Sequence, residues 1–148
     1  MIYLGADHRG FELKEKIKTW LGEWGYEFQD LGALKYQPED DFVDYAALVA
    51  REVVKKKGSL GILVCGTGAG MDIASNKIDG VRSILALSAE HARRSKIADF
   101  GNVLSLAVDY FSEPEVRKMV RFFLETDYSS EPRYLRRVEK IRQLEKNN

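Results

Sequence analysis

Leu60-Gly61-Ile62-Leu63-Val64-Cys65 is an unbroken run of apolar and small residues, and Gly66-Thr67-Gly68-Ala69-Gly70 follows it directly. A continuous apolar run of this length, with no polar alternation, is the pattern of a strand buried on both faces. Such strands belong to parallel sheets with helices packed on each side. The glycines after it predict a tight turn that opens a short helix, read over Ala69 to Asn76.

The rest of the chain repeats this pattern. Further strands are read at Ile2 to Gly5, Tyr26 to Leu31, Val81 to Leu87 and Val103 to Val108, and the stretch around Tyr36 reads as loop. Helical spacing lies between them. Phe11 to Trp24 has apolar residues near a 3.6 period and a Glu12–Lys16 pair at i,i+4. Val43 to Lys57 ends in three lysines and Gly58, a C-terminal signature. Ala89 to Ala98 follows Ser88, Pro114 to Leu124 follows Ser112, and both serines are candidate N-caps. Arg133 to Glu145 is a late, charged helix. Alternating strands and helices predict one α/β domain over residues 1–148, a three-layer α/β/α sandwich around a five-stranded parallel sheet.

Composition narrows the function classes. Of 148 residues, 45% are hydrophobic and 31% charged, which is the balance of a globular protein. Lys plus Arg and Asp plus Glu are 23 each, so no bulk positive charge recruits nucleic acid. No apolar run has the length to span a bilayer and no secretory leader is read, so the expected location is the cytoplasm. Cys65 is the single cysteine, which excludes an intrachain disulfide and a multi-cysteine metal site. No metal and no cofactor are expected.

Ligands in open parallel sheets bind beyond the carboxyl ends of the strands. Asp7-His8-Arg9-Gly10 follows the first strand, and the glycine loop follows the third. Gly66, Gly68, Ala69 and Gly70 let a ligand approach free backbone N–H groups, where a phosphate or an enediolate oxygen is a natural guest. Cys65 reads either as a small buried hydrophobe or, beside a helix start, as a thiol of lowered pKa able to act as base. His8 can shuttle a proton or hold a hydroxyl, whereas His91 reads as structural. Arg133 and Arg137 share one helix face and form either a phosphate clamp or a solvated charged surface. The loop over Gly32 to Phe42 is long enough to be functional.

Gly5-Ala6-Asp7-His8-Arg9-Gly10-Phe11-Glu12-Leu13-Lys14 resembles the opening of the type B ribose-5-phosphate isomerase and galactose-6-phosphate isomerase family. Cys65 to Gly70 with Ile73-Ala74-Ser75-Asn76-Lys77 resembles its active-site signature, and Gly80-Val81-Arg82, Asn102-Val103-Leu104 and Arg133 to Ile141 continue the likeness. The resemblance implies a Rossmann-like fold, a homodimer or dimer of dimers with shared sites, and metal-free aldose–ketose isomerisation of a phosphosugar. It implies Cys65 as the base that moves the proton between C1 and C2. Thr67 and the glycine loop would hold the enediolate, Asp7 and His8 would contact substrate, and Arg133 and Arg137 would bind phosphate from a neighbouring subunit. The chain also departs from the family pattern. Ala98 stands where the ring-opening histidine is usual, and Asp99 stands at the position of a substrate-contacting asparagine. Asp109 replaces an arginine, Asp41-Phe42-Val43 replaces Asp-Tyr-Pro, and Met71 stands where some members use a glutamate base. The implied substrate is ribose 5-phosphate. A tetrose or hexose phosphate, or a non-catalytic phosphosugar-binding subunit, are the alternatives.

Overall fold

The computed structural model describes residues 1–147. Its strands are β1 (Ile2–Ala6), β2 (Phe28–Asp30), β3 (Leu60–Cys65), β4 (Ser83–Leu85) and β5 (Val103–Ala107). Its helices are α1 (Phe11–Glu23), α2 (Phe42–Lys55), α3 (Ala69–Ser75), α4 (Ala89–Asp99), α5 (Glu113–Glu125) and α6 (Pro132–Lys146). The strands form one parallel sheet in the order β2-β1-β3-β5-β4. The expected five-stranded sandwich is therefore observed. No helix is long and apolar enough to cross a membrane among the described residues.

Two apolar layers cover the sheet. Leu13, Ile17, Trp20 and Leu21 of α1 pack with Ala92 of α4 and Val116, Met119, Val120 and Phe123 of α5 on one face. Ala46, Val49, Ala50 and Val53 of α2 pack with Met71 of α3 on the other. β3 touches both layers, as its unbroken apolar run requires: Ile62 and Val64 face one and Leu63 and Cys65 the other.

The edge strands are shorter than their apolar runs. β2 begins at Phe28 because Gly25, at φ +76°, turns the chain after α1. β4 begins at Ser83 because Val81 closes a turn onto the carbonyl of Ile78. Helix α2 stops at Lys55, two residues early, because Lys56 is extended and Gly58 takes φ +84°. Ser88 caps α4 through the N–H of His91 at 3.0 Å. At α5, Glu115 accepts from both the backbone N–H and the hydroxyl of Ser112. Lys16 does not pair with Glu12 but reaches Glu113 of α5 at 2.5 Å, tying two helices rather than one turn.

Lys14 is completely buried, and its ammonium is matched by the Asp30 carboxylate at the end of β2. Asp30 also accepts from Gly32 N–H at 3.0 Å and lies 3.1 Å from Lys18. Burial works to raise Asp30, but Lys14, Gly32 and Lys18 outweigh it and hold the carboxyl below its ordinary value. Removing one partner of a buried pair strands the other charge. Asp30→Ala is expected to cost about 3–5 kcal/mol in chemical denaturation at neutral pH. A carboxyl whose folded pKa is depressed contributes fully above its unfolded value and loses that contribution as pH falls through the folded one. The variant's deficit should therefore shrink below about pH 4.

Candidate active site

From β1 the chain crosses to β2 on one side, while β3 pairs with β1 on the other. The two connections leave in opposite directions, so the carboxyl ends of β1 and β3 bound the crevice where such sheets bind ligands. Asp7 follows β1 directly and Cys65 ends β3. Asp7 N–H donates to the Val64 carbonyl at 3.3 Å, and a Cβ on Gly10 would lie 2.3 Å from that same oxygen. Only glycine lets α1 start this close to β3, which keeps Asp7-His8 beside the thiol.

Cys65 is 4% exposed, and the backbone N–H groups of Met71, Gly68 and Thr67 lie around its sulfur. Gly68 makes this cradle possible. It takes φ +72°, and a Cβ there would lie 2.5 Å from Leu85. The expectation of a lowered thiol pKa is not met. Burial pushes Cys65 up, the Asp7 charge adds to this, and the three N–H groups offset it only in part. The helix-start argument counts the donors and omits the burial that brings them close.

Asp7 is buried, and its Oδ1 accepts from the N–H groups of Arg9 and Gly10, both at 3.1 Å. Burial raises its pKa against these bonds. His8 is fixed by a residue that sequence reasoning missed. Asp40 Oδ1 accepts from His8 N–H at 3.0 Å and from Nδ1 at 2.8 Å. With Nδ1 engaged by Asp40, Nε2 is the free ring nitrogen. Asp40 Oδ2 is buried and unpartnered. The length of the Gly32–Phe42 loop was the only signal for Asp40. Phe42 seats its ring on α3, where a Cβ on Gly70 would lie 2.9 Å from it.

No carboxylate stands at position 71, and the next residue is turned away. Met71 is buried in the apolar layer, and the Asp72 carboxyl lies by Ser83 at the start of β4. Asp109, at the position of the family's arginine, pairs with Arg9 at 2.5 Å. The pair lies over Gly66, where a Cβ would meet Arg9 Nε and Asp109 Oδ2 at 2.8 Å each. A guanidinium thus stands at the mouth of the crevice, carried by β1 rather than β5.

The structure brings together Asp7, His8, Cys65, Gly66, Thr67, Gly68, Ala69 and Gly70. It does not bring Asp99, Arg133 or Arg137 to them within one chain. Cys65 is level with Ala107 at the carboxyl end of β5, whereas Asp99 precedes Val103 at its amino end. Those levels are roughly 13 Å apart along the strand alone. Asp99 instead lines a cavity of about 340 Å³ with Arg93, Arg94, Ala98 and Tyr134. Arg133 and Arg137 flank that tyrosine, their guanidinium carbons 4.6 and 5.8 Å from its ring centre.

The model of the Ribose/Galactose Isomerase family matches residues 2–141. The chain belongs to this family. It is 34% identical over 147 residues to ribose-5-phosphate isomerase B of Mycobacterium tuberculosis, covering 99% of this chain and 91% of that protein. It is 37% identical over 146 residues to the probable ribose-5-phosphate isomerase B of Mycoplasma genitalium, covering 98% of this chain and 95% of that protein. Among solved structures, ribose-5-phosphate isomerase B from Mycoplasma genitalium with bound ribulose-5-phosphate superposes with a TM-score of 0.95 at 36% identity, covering 99% of this chain and 97% of that one. The type B enzyme from Trypanosoma cruzi gives 0.94 at 32% identity, with 99% of each chain covered.

Proposed function

We propose that the protein interconverts an aldose phosphate and its ketose, with ribose 5-phosphate and ribulose 5-phosphate as the pair. The observation that carries this reading is the Cys65 sulfur, set among three backbone N–H groups near Asp7 at the end of β3. Isomerisation through an enediolate needs a base at C2 of the aldose and fixed dipoles where negative charge develops. Cys65 as thiolate takes the C2 proton and returns it to C1. Thr67 and the N–H groups of Gly66 to Gly70 hold the enediolate oxygens. His8, oriented by Asp40, exchanges a proton with a substrate hydroxyl through Nε2.

The phosphate is held by a second copy of the chain. Arg133 and Arg137 are distant from their own Cys65, and the helix that carries them is barely anchored in its own subunit. Val138 is its one buried residue, while Leu135, Ile141 and Leu144 are exposed. Val43 of α2 and Ile73 of α3 are exposed as well. A twofold dimer that covers these apolar side chains places Asp99, Arg133 and Arg137 of one subunit over the cradle of the other.

The test is turnover of ribose 5-phosphate by purified protein without added metal, followed by NMR, beside allose 6-phosphate, galactose 6-phosphate and erythrose 4-phosphate. Ribose 5-phosphate is expected to give ribulose 5-phosphate. Absence of turnover on all four sugars contradicts the reading.

The raised thiol pKa adds a pH signature. The active base is the deprotonated form, so kcat/KM should rise with pH from about 7 to 9, the range below and around an ordinary thiol. A profile that is flat over that range would place the proton transfer on another group.

A further inference from the structure

At the amino-terminal ends of the strands, the edge of the sheet opposite Cys65, lies a cavity of about 550 Å³. Ser59, Arg82 and Asn102 line it, preceding β3, β4 and β5 respectively. The chain has no net charge, yet the lining holds Lys55, Lys56, Lys57, Arg82 and Arg142 and no carboxylate. Lys55 is matched by Glu52, and Arg142 stands 3.5 Å from Glu139. Lys56, Lys57 and Arg82 make no ion pair among the described residues. Glu145 is near, but its carboxylate accepts the Gly80 N–H at 2.9 Å.

Arg82 is half-buried and donates to backbone only. Its Nε goes to the Phe100 carbonyl at 2.8 Å and its Nη1 to the Gly80 carbonyl at 3.1 Å, leaving Nη2. Ser59 gives the second, independent observation. The residue lines this cavity at 4% exposure, and its buried hydroxyl has no hydrogen-bond partner. Buried hydroxyls are almost always paired, so this one is free to donate to a group that enters beside it. The hydroxyl can donate to any acceptor, and the Arg82 guanidinium favours one that carries negative charge.

We propose that this cavity is a second ligand site, separate from the Cys65 crevice, for a small molecule carrying a multiply charged phosphate group. The Ser59 hydroxyl and Arg82 Nη2 donate to its oxygens from the floor, and Lys56, Lys57 and Arg142 close on it from the rim. Guanidinium and ammonium groups without carboxylates bind phosphate through charge-assisted bonds, whereas a neutral sugar would leave the charges unmatched.

The test uses the full chain and inorganic pyrophosphate as probe, with backbone amides followed by NMR. Saturable shifts are expected at Ser59, Gly80 and Asn102, with a dissociation constant below about 1 mM at low salt. The double variant Lys57→Gln, Arg142→Gln is expected to weaken binding at least about tenfold while keeping the wild-type spectrum and basal activity. Ser59→Ala should weaken it about threefold or more. Shifts confined to the Gly66–Gly70 loop and the Arg133–Arg137 turn overturn the proposal. So do no saturable shift up to about 5 mM, or unchanged binding in the double variant.

Discussion

Cys65→Ala is expected to lower kcat by about 10²–10⁴-fold, the span a positioned base contributes. The sulfur is the only group of the crevice that can lose a proton and that also sits inside the N–H cradle formed by Thr67, Gly68 and Met71. Alanine removes little volume from the end of β3. The circular dichroism spectrum should match the parent, and the cost in stability should stay near about 1 kcal/mol. Cys65→Ser keeps the shape but replaces the thiol by a far weaker acid, so it should be nearly as inactive. Asp7 has a raised pKa and lies beside the sulfur, and it is the competing base. Cys65→Ala with more than about a tenth of the parent activity would move the proton transfer to Asp7.

Arg137→Ala should act on binding rather than on the chemical step. The phosphate lies several bonds from the carbons that exchange the proton, so its contacts are present in ground and transition states alike. Loss of a charge-assisted bond of about 1.5–3 kcal/mol raises KM roughly ten- to hundredfold. Arg133 is held by Glu131 at 2.7 Å, whereas Arg137 makes no ion pair among the described residues. The larger effect is therefore expected at Arg137. An unchanged KM would show that the phosphate rests elsewhere, on Arg9 or on the glycine loop.

Much of this was legible in the residues. Leu60 to Cys65 announces a strand covered on both faces, and the observed sheet has it paired with β1 and β5. Ser88 and the lysines before Gly58 mark helix ends because caps act over one turn. Interactions across long separations were not legible. Asp40 and His8 are 32 residues apart, and no local rule joins them. Lys14 is one of several lysines in its helix with nothing local to set it apart, yet it is fully buried. The same limit governs the site. Adjacent loops could be placed together from strand order, but Asp99 and Arg137 lie at the other end of their own chain. The sign of the thiol shift failed for a related reason. The donors are local in sequence, while the desolvation comes from the packed sheet.

In the proposed dimer, one active site is built from the cradle of one subunit and the arginines of another. Cys65→Ala and Arg137→Ala each damage every site of a homodimer. A heterodimer of the two variants keeps one intact site, with Cys65 from one chain and Arg137 from the other, and one site that has lost both. The variants are co-expressed with different tags and the mixed dimer fraction is confirmed by mass. At subsaturating ribose 5-phosphate, the random mixture should recover about a quarter of wild-type activity, well above either parent. Mixed dimers no more active than the parents would contradict a shared site and confine catalysis to single chains.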